Sequence, residues 1–208
     1  MSRYCSKCGK AKVACICQYI RTIDTDVQLI ILQHKTETQR PLGTAKILSL
    51  SLANSVSIVG EDFSHDTKLT KLLADQSFQH WVLYPSDNSM LITEQVSTRL
   101  TQSNLSEKPV RLIVIDATWK KAYKIWQLST NLHNLQAVHL PENIKGNYRV
   151  RKAPSDNSLS TVEATAHALA LIEPQTDFSP LFEAFDSMVD DHIKAMPPGV
   201  YERNYLNP

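Results

Sequence analysis

The sequence predicts an α/β fold: a mostly parallel sheet flanked by helices, with a small metal-binding appendage at the amino terminus. Three observations carry this expectation. First, short runs of branched apolar residues recur along the chain, VQLIIL at 27–32, VSIV at 56–59, HWVLY at 80–84, VRLIVI at 110–115 and AVHL at 137–140. Runs with so little polar interruption belong to strands covered on both faces, the habit of parallel sheets. Second, helical stretches fit between them at 44–52, 68–73, 93–100 and 119–128, and strand–helix alternation calls for crossover connections. Third, all four cysteines fall before residue 18, outside the alternating region.

A chain of 208 residues suits one substantial core with a small addition, so the expected division is a zinc-binding segment over 1–24 and a catalytic domain over 25–208. The formal charge of +1 does not select for nucleic acid. The cations are nevertheless unevenly placed. Lys120, Lys121 and Lys124 form one group, and Lys145, Arg149, Arg151 and Lys152 form another with no acid among them. Such groups are either phosphate-binding patches or solvated faces, and charge alone leaves both open. No apolar run approaches the roughly 20 residues of a membrane span, and the amino terminus has no signal-like apolar stretch. The expectation is a cytoplasmic protein with reduced thiols and no membrane association.

Cys5, Cys8, Cys15 and Cys17 make the pattern C-x2-C-x6-C-x-C. Two close pairs suit one tetrahedral Zn²⁺, which takes four thiolates and lets a C-x2-C turn grip it with two sulfurs. The segment has too few apolar residues to fold by burial, so a metal is its organiser. Two disulfides would need an oxidising compartment, and a redox C-x-x-C centre would need a surrounding βαβ unit. Four sulfurs close the coordination sphere, so this metal is expected to be structural.

The remaining chemistry clusters where predicted strands end. In LIVIDATWKKAYKIW, residues 112–126, an apolar run stops at Asp116 and a helix opens at once. Asp116 or Thr118 fits the helix N-cap. Asp116 also lies at the carboxyl end of a central strand, where open parallel sheets place their ligands. The first strand leads into QHKTETQRPLGT at 33–44, which carries His34 and Arg40. A satisfied polar residue or a site residue fits His34; a structural ion pair or an anion anchor fits Arg40. Trp119 suits either core packing or stacking on a base. The fifth strand enters a long polar loop, after which LSTVEATAHALALIE opens a helix with Ser160 or Thr161 as N-cap and Leu169 and Ile172 on its apolar stripe. Ser160-x-x-Glu163 is a capping box, and that role alone accounts for both residues. A last helix is expected over 182–196, stopped by Pro197 and Pro198.

The four amino-terminal cysteines, HKTETQRP, DATW as a D-x-T-W motif, and RKAPSDNSLSTVEA together resemble the DTW-domain family of tRNA-uridine aminocarboxypropyltransferases. The blocks run in order from Cys5 to about Ala164. One departure is Lys35, where the first block of the family often has proline; Glu37 and Arg40 keep their places. The resemblance implies a SPOUT-like parallel sheet with a C-terminal trefoil knot, an exception to the rule that chains are unknotted. It also implies S-adenosylmethionine as donor of a 3-amino-3-carboxypropyl group, N3 of a tRNA uridine as acceptor, and methylthioadenosine as by-product. Among the two oligomeric habits of such proteins, monomer is favoured over dimer.

On that reading Asp116 is the catalytic residue, placed to take the N3 proton. Ile115, Thr118, Leu140, Leu159, Ser160, Thr161 and Glu163 are the expected donor-binding residues. The opening of the Ser160 helix suits the donor carboxylate, because a helix N-terminus favours anions. Leu140 and Leu159 are expected to flank adenine. Arg40, Trp119, Lys120, Lys121, Arg149, Arg151 and Lys152 are expected on tRNA, with Lys7, Lys10 and Lys12 of the cysteine segment extending that surface. Two rivals remain at the level of sequence. A SPOUT-like methyltransferase would release S-adenosylhomocysteine instead. A non-catalytic zinc-bearing RNA-binding protein would leave the nucleoside unchanged.

Overall fold

The computed structural model describes residues 2–101, 108–150 and 159–206. Six strands form the sheet: β1 (Gln28–His34), β2 (Ser55–Gly60), β3 (Gln79–Leu83), β4 (Met90–Leu91), β5 (Val110–Asp116) and β6 (Gln136–His139). Their order is β2-β1-β5-β3-β6-β4, and every pairing is parallel. All carboxyl ends therefore point to one edge of the molecule. Five of these strands lie within one or two residues of their sequence positions. The sixth, β4, is two residues long and has no run to reveal it.

Six helices pack on the sheet: α1 (Ala45–Ser51), α2 (Thr67–Leu73), α3 (Ile92–Thr101), α4 (Trp119–Leu128), α5 (Thr161–Ile172) and α6 (Ser179–Lys194). The alternation of a strand sends successive side chains to opposite faces. Leu29, Ile31, Leu112 and Val114 accordingly pack with α1, α5 and α6, while Ile30, Leu32 and Ile113 pack with α2 and α4. All seven are at most 2% exposed, which explains the uninterrupted apolar runs. Each such side chain contributes roughly 1.5–3 kcal/mol of burial. The central strands are thus fixed from both sides, and so are the residues at their tips. Helix α6 starts three residues before the expected position, with Pro180 in its first turn, where the missing N–H costs nothing.

The cysteine segment docks on the same core. Cys8 and Ile16 are each 1% exposed and join the cluster built on α1, α5 and α6. Gly9, at φ 74°, makes the tight turn after Cys8 in a region that side chains avoid. Lys10 Nζ donates to the Pro41 carbonyl, and the Tyr19 hydroxyl donates to Asp191 on α6. Among the described residues no helix is long and apolar enough to cross a membrane.

Candidate active site and metal centre

Asp116 ends β5 and is 5% exposed. Of the two residues that suit the N-cap of α4, Thr118 occupies the position, with extended backbone at φ −67° and ψ 154°, and its side chain makes no capping bond. Asp116 is therefore free of the capping role. Its neighbour across the sheet is Gln33 of β1, paired in register, whose Nε2 donates to Asp116 Oδ2 at 2.8 Å. Burial pushes the Asp116 carboxyl above its ordinary value, and hydrogen bonds from Gln33 and Thr161 pull the other way. The residue is a desolvated carboxylate held by neutral donors, which makes it a stronger base than an exposed one.

The loop after β1 folds as successive turns, Glu37 N–H to His34 O, Arg40 N–H to Glu37 O and Gly43 N–H to Arg40 O. Gly43 is required by this packing: a Cβ there would sit 3.2 Å from the Arg40 carbonyl and 3.3 Å from that of Glu37. Glu37 is 8% exposed and bridges two cations, Arg40 Nε at 2.8 Å and Lys121 Nζ at 3.2 Å. Arg40 combines both of its sequence roles, an ion pair at its base and a guanidinium facing a cavity. His34 takes the structural role. Its Nδ1 accepts from the Thr36 N–H, so Nε2 carries the proton and donates to Glu61 at 3.1 Å. Lys35, in the place of the family's proline, is exposed and leaves the turns intact.

Helix α5 begins with the expected capping box. Ser160 Oγ accepts from the Glu163 N–H, and Glu163 Oε2 accepts from the Ser160 N–H at 2.7 Å. Glu163, 3% exposed, does more than cap, since its Oε1 accepts from the Asn147 N–H at 2.6 Å. It thereby ties the loop after β6 to the start of α5.

Two cavities open at this strand edge. The first, about 340 Å³, is mostly apolar; Ile115, Trp119, Leu140, Leu159, Ser160 and Thr161 of the expected residues line it. The second, about 470 Å³, is more polar; Arg40, Asp116, Thr118, Ser160 and Thr161 line it. Ala117, Ser160 and Thr161 belong to both, so the cavities share a wall beside Asp116. Glu163 lines neither and shapes that wall from behind. Sequence reasoning did not find Tyr84, His139 and Ile144 in the first cavity or Tyr148 and His192 in the second. His139, one residue before Leu140 at the end of β6, carried a usable signal; its Nδ1 lies 2.9 Å from Ser89 Oγ. His192 stands far along the chain on α6 and carried none.

The expected RNA-facing cations divide. Lys120 is exposed and has no ion pair among the described residues. Lys121 is bound to Glu37 and Thr36, and Arg149 pairs with Asp190 at 2.7 Å. Arg151 and Lys152 lie outside the described residues. Lys7 and Lys12 are exposed, whereas Lys10 is committed to Pro41. Trp119 is 45% exposed and Tyr123, one turn further along α4, is 59% exposed, so these two rings face solvent together.

The four cysteines carry free thiols whose sulfur atoms all lie within 4.8 Å of one another. Cys5 and Cys17 sulfurs are 3.7 Å apart, and those of Cys8 and Cys15 are 3.8 Å apart. These separations far exceed a disulfide bond of about 2.05 Å. They match the edge of a tetrahedron with metal–sulfur bonds of about 2.3 Å, which is about 3.8 Å. Backbone N–H groups of Cys8 and Lys7 lower the Cys5 thiol to about 6, which favours the thiolate a metal needs.

Among known proteins, the DTW domain family model matches residues 2–193. The chain is 33% identical over 180 residues to the Drosophila melanogaster protein named tRNA-uridine aminocarboxypropyltransferase 2, covering 83% of this chain and 68% of the fly protein. The Mus musculus protein of the same name is 26% identical, with 81% of this chain and 56% of the relative covered. The Arabidopsis thaliana tRNA-uridine aminocarboxypropyltransferase A is 29% identical, with 82% and 72% covered. No solved structure is a significant match. The cysteine cluster, the strand-tip Asp116 followed by Thr118 and Trp119, and the capped Ser160 helix all fall inside the matched span, and the chain belongs to the DTW domain family.

Proposed function

We propose that this protein transfers the 3-amino-3-carboxypropyl group of S-adenosylmethionine to N3 of a uridine in tRNA. The observation that carries the reading is one buried carboxylate, Asp116, beside the wall shared by an apolar and a polar cavity. The names of the relatives support the reaction type.

The apolar cavity suits adenosine, with Ile115, Leu140 and Leu159 around the base and Trp119 at its mouth. The polar cavity suits the acceptor uracil, with Arg40 and Thr118 as donors to its carbonyl oxygens. Ser160 and Thr161, at the N-terminus of α5, are suited to the donor's carboxylate. Bound between them, S-adenosylmethionine supplies a sulfonium-activated γ-carbon. Asp116 takes the proton from N3, the freed N3 pair bonds to that carbon, and the carbon–sulfur bond breaks to leave neutral methylthioadenosine. A positioned base contributes roughly 10²–10⁴-fold. Orientation of the γ-carbon rather than the methyl group is the larger task, worth roughly 7–11 kcal/mol. Rigid strand tips suit that task.

The cysteines form a structural zinc site in this reading, over residues 1–24, docked on a catalytic domain of 25–208. Lys120 and the exposed Lys7 and Lys12 contact tRNA backbone, with Arg149, Arg151 and Lys152 alongside. The chain path is that of a trefoil knot. Supporting this, β6 enters the sheet between β3 and β4, both of which precede it. The protein works as a cytoplasmic monomer, in keeping with its free thiols.

Product analysis tests the reaction. Incubation of the protein with tRNA and S-adenosylmethionine is expected to yield methylthioadenosine and an aminocarboxypropylated uridine, read by mass spectrometry. S-adenosylhomocysteine would identify methyl transfer, and an unchanged nucleoside would refute catalysis.

A further inference from the structure

We propose that Gln33 is a positioning residue for the transfer: it fixes one oxygen of Asp116 and holds the carboxylate in its ionised, proton-accepting form. This rests on the reading of Asp116 as the base.

Gln33 and Asp116 are register partners on adjacent central strands, so their side chains leave the sheet on the same face. The Gln33 amide donates to Oδ2 at 2.8 Å and lines neither cavity, whereas Asp116 lines the polar one. The amide therefore reaches the carboxylate from the sheet side and occupies one oxygen. The other is left for the acceptor. A hydrogen bond to the charged form favours that form. At a site where burial works against ionisation, this donor decides whether a base is present at neutral pH. The residue type matters as well. Lysine or arginine at this position would form an ion pair and weaken the base, while an amide stabilises the anion with a dipole alone.

The other groups around Asp116 set the background. Thr161 of α5 donates to it, and Glu37 and Arg40 of the loop after β1 act on it with opposite signs. Lys121 of α4 is committed to Glu37, and His192 of α6 lines the same cavity. None of these replaces a donor on β1. A purely structural role for Gln33, satisfying a buried oxygen, predicts lost stability and no change in the ionisation that governs turnover.

The test is the pH dependence of kcat in Gln33→Met and Gln33→Lys, with S-adenosylmethionine binding measured to confirm folded protein. Loss of the donor in Gln33→Met raises the pH at which Asp116 ionises. The acid limb of kcat then moves to higher pH, turnover on the acid side falls about tenfold or more, the worth of one charge-assisted hydrogen bond, and activity recovers at alkaline pH. KM for S-adenosylmethionine stays unchanged. Gln33→Lys moves the limb the opposite way. An acid limb unmoved in both variants, with Asp116→Asn inactive, overturns the role of Gln33 alone. Turnover retained in Asp116→Asn overturns Asp116 as the base and the role of Gln33 with it.

Discussion

Replacing Glu163 with alanine removes the acceptor for two backbone N–H groups, those of Asn147 at 2.6 Å and Ser160 at 2.7 Å. Both bonds end on a carboxylate that is 3% exposed. Hydrogen bonds to a charged partner contribute about 1.5–3 kcal/mol each, so the pair is worth about 3–6 kcal/mol. In a domain of this size each kcal/mol moves Tm by about 2–4 °C, giving an expected drop of roughly 6–20 °C. Glu163→Gln keeps one acceptor oxygen and should lose about half as much. The loss also reaches the site, because Ser160 and Thr161 line both cavities. Calorimetric melting paired with titration of S-adenosylmethionine measures both effects. A Glu163→Ala protein that melts within about 2 °C of the parent and binds the donor equally well would refute the claim that this capping box shapes the site.

Two further outcomes follow from the surface and the cysteine cluster. Metal chelation should lower the main unfolding transition, because Cys8 and Ile16 belong to the principal core; an unchanged transition with metal demonstrably removed would show the segment to be an independent appendage. Lys120→Ala should reduce the slope of log binding constant against log salt for tRNA by about one, with donor affinity unaffected, and an unchanged slope would remove Lys120 from the RNA surface.

Local patterns made much of this molecule legible. The apolar runs at β1 and β5 announced strands buried on both faces, and the break at Asp116 marked the strand tip. Ser160 and Glu163 announced their cap by spacing alone. The cysteine spacing anticipated a cluster whose sulfurs approach to within 4.8 Å. What stayed hidden depends on distant partners. Lys121 and Arg149 read as free cations because Glu37 and Asp190 lie 84 and 41 residues away from them. Gln33 sat unremarked inside a familiar block because its meaning comes from the register of β1 on β5. The capping box itself concealed the second bond of Glu163, to Asn147 across the loop after β6.

The central claim is that Asp116, at the wall between two cavities, takes the proton that makes the acceptor nitrogen reactive. Single-turnover transfer by Asp116→Asn, measured beside its affinity for S-adenosylmethionine, tests it most directly. The account predicts transfer reduced about 10²–10⁴-fold with donor affinity preserved. Near-normal transfer by that variant would contradict it.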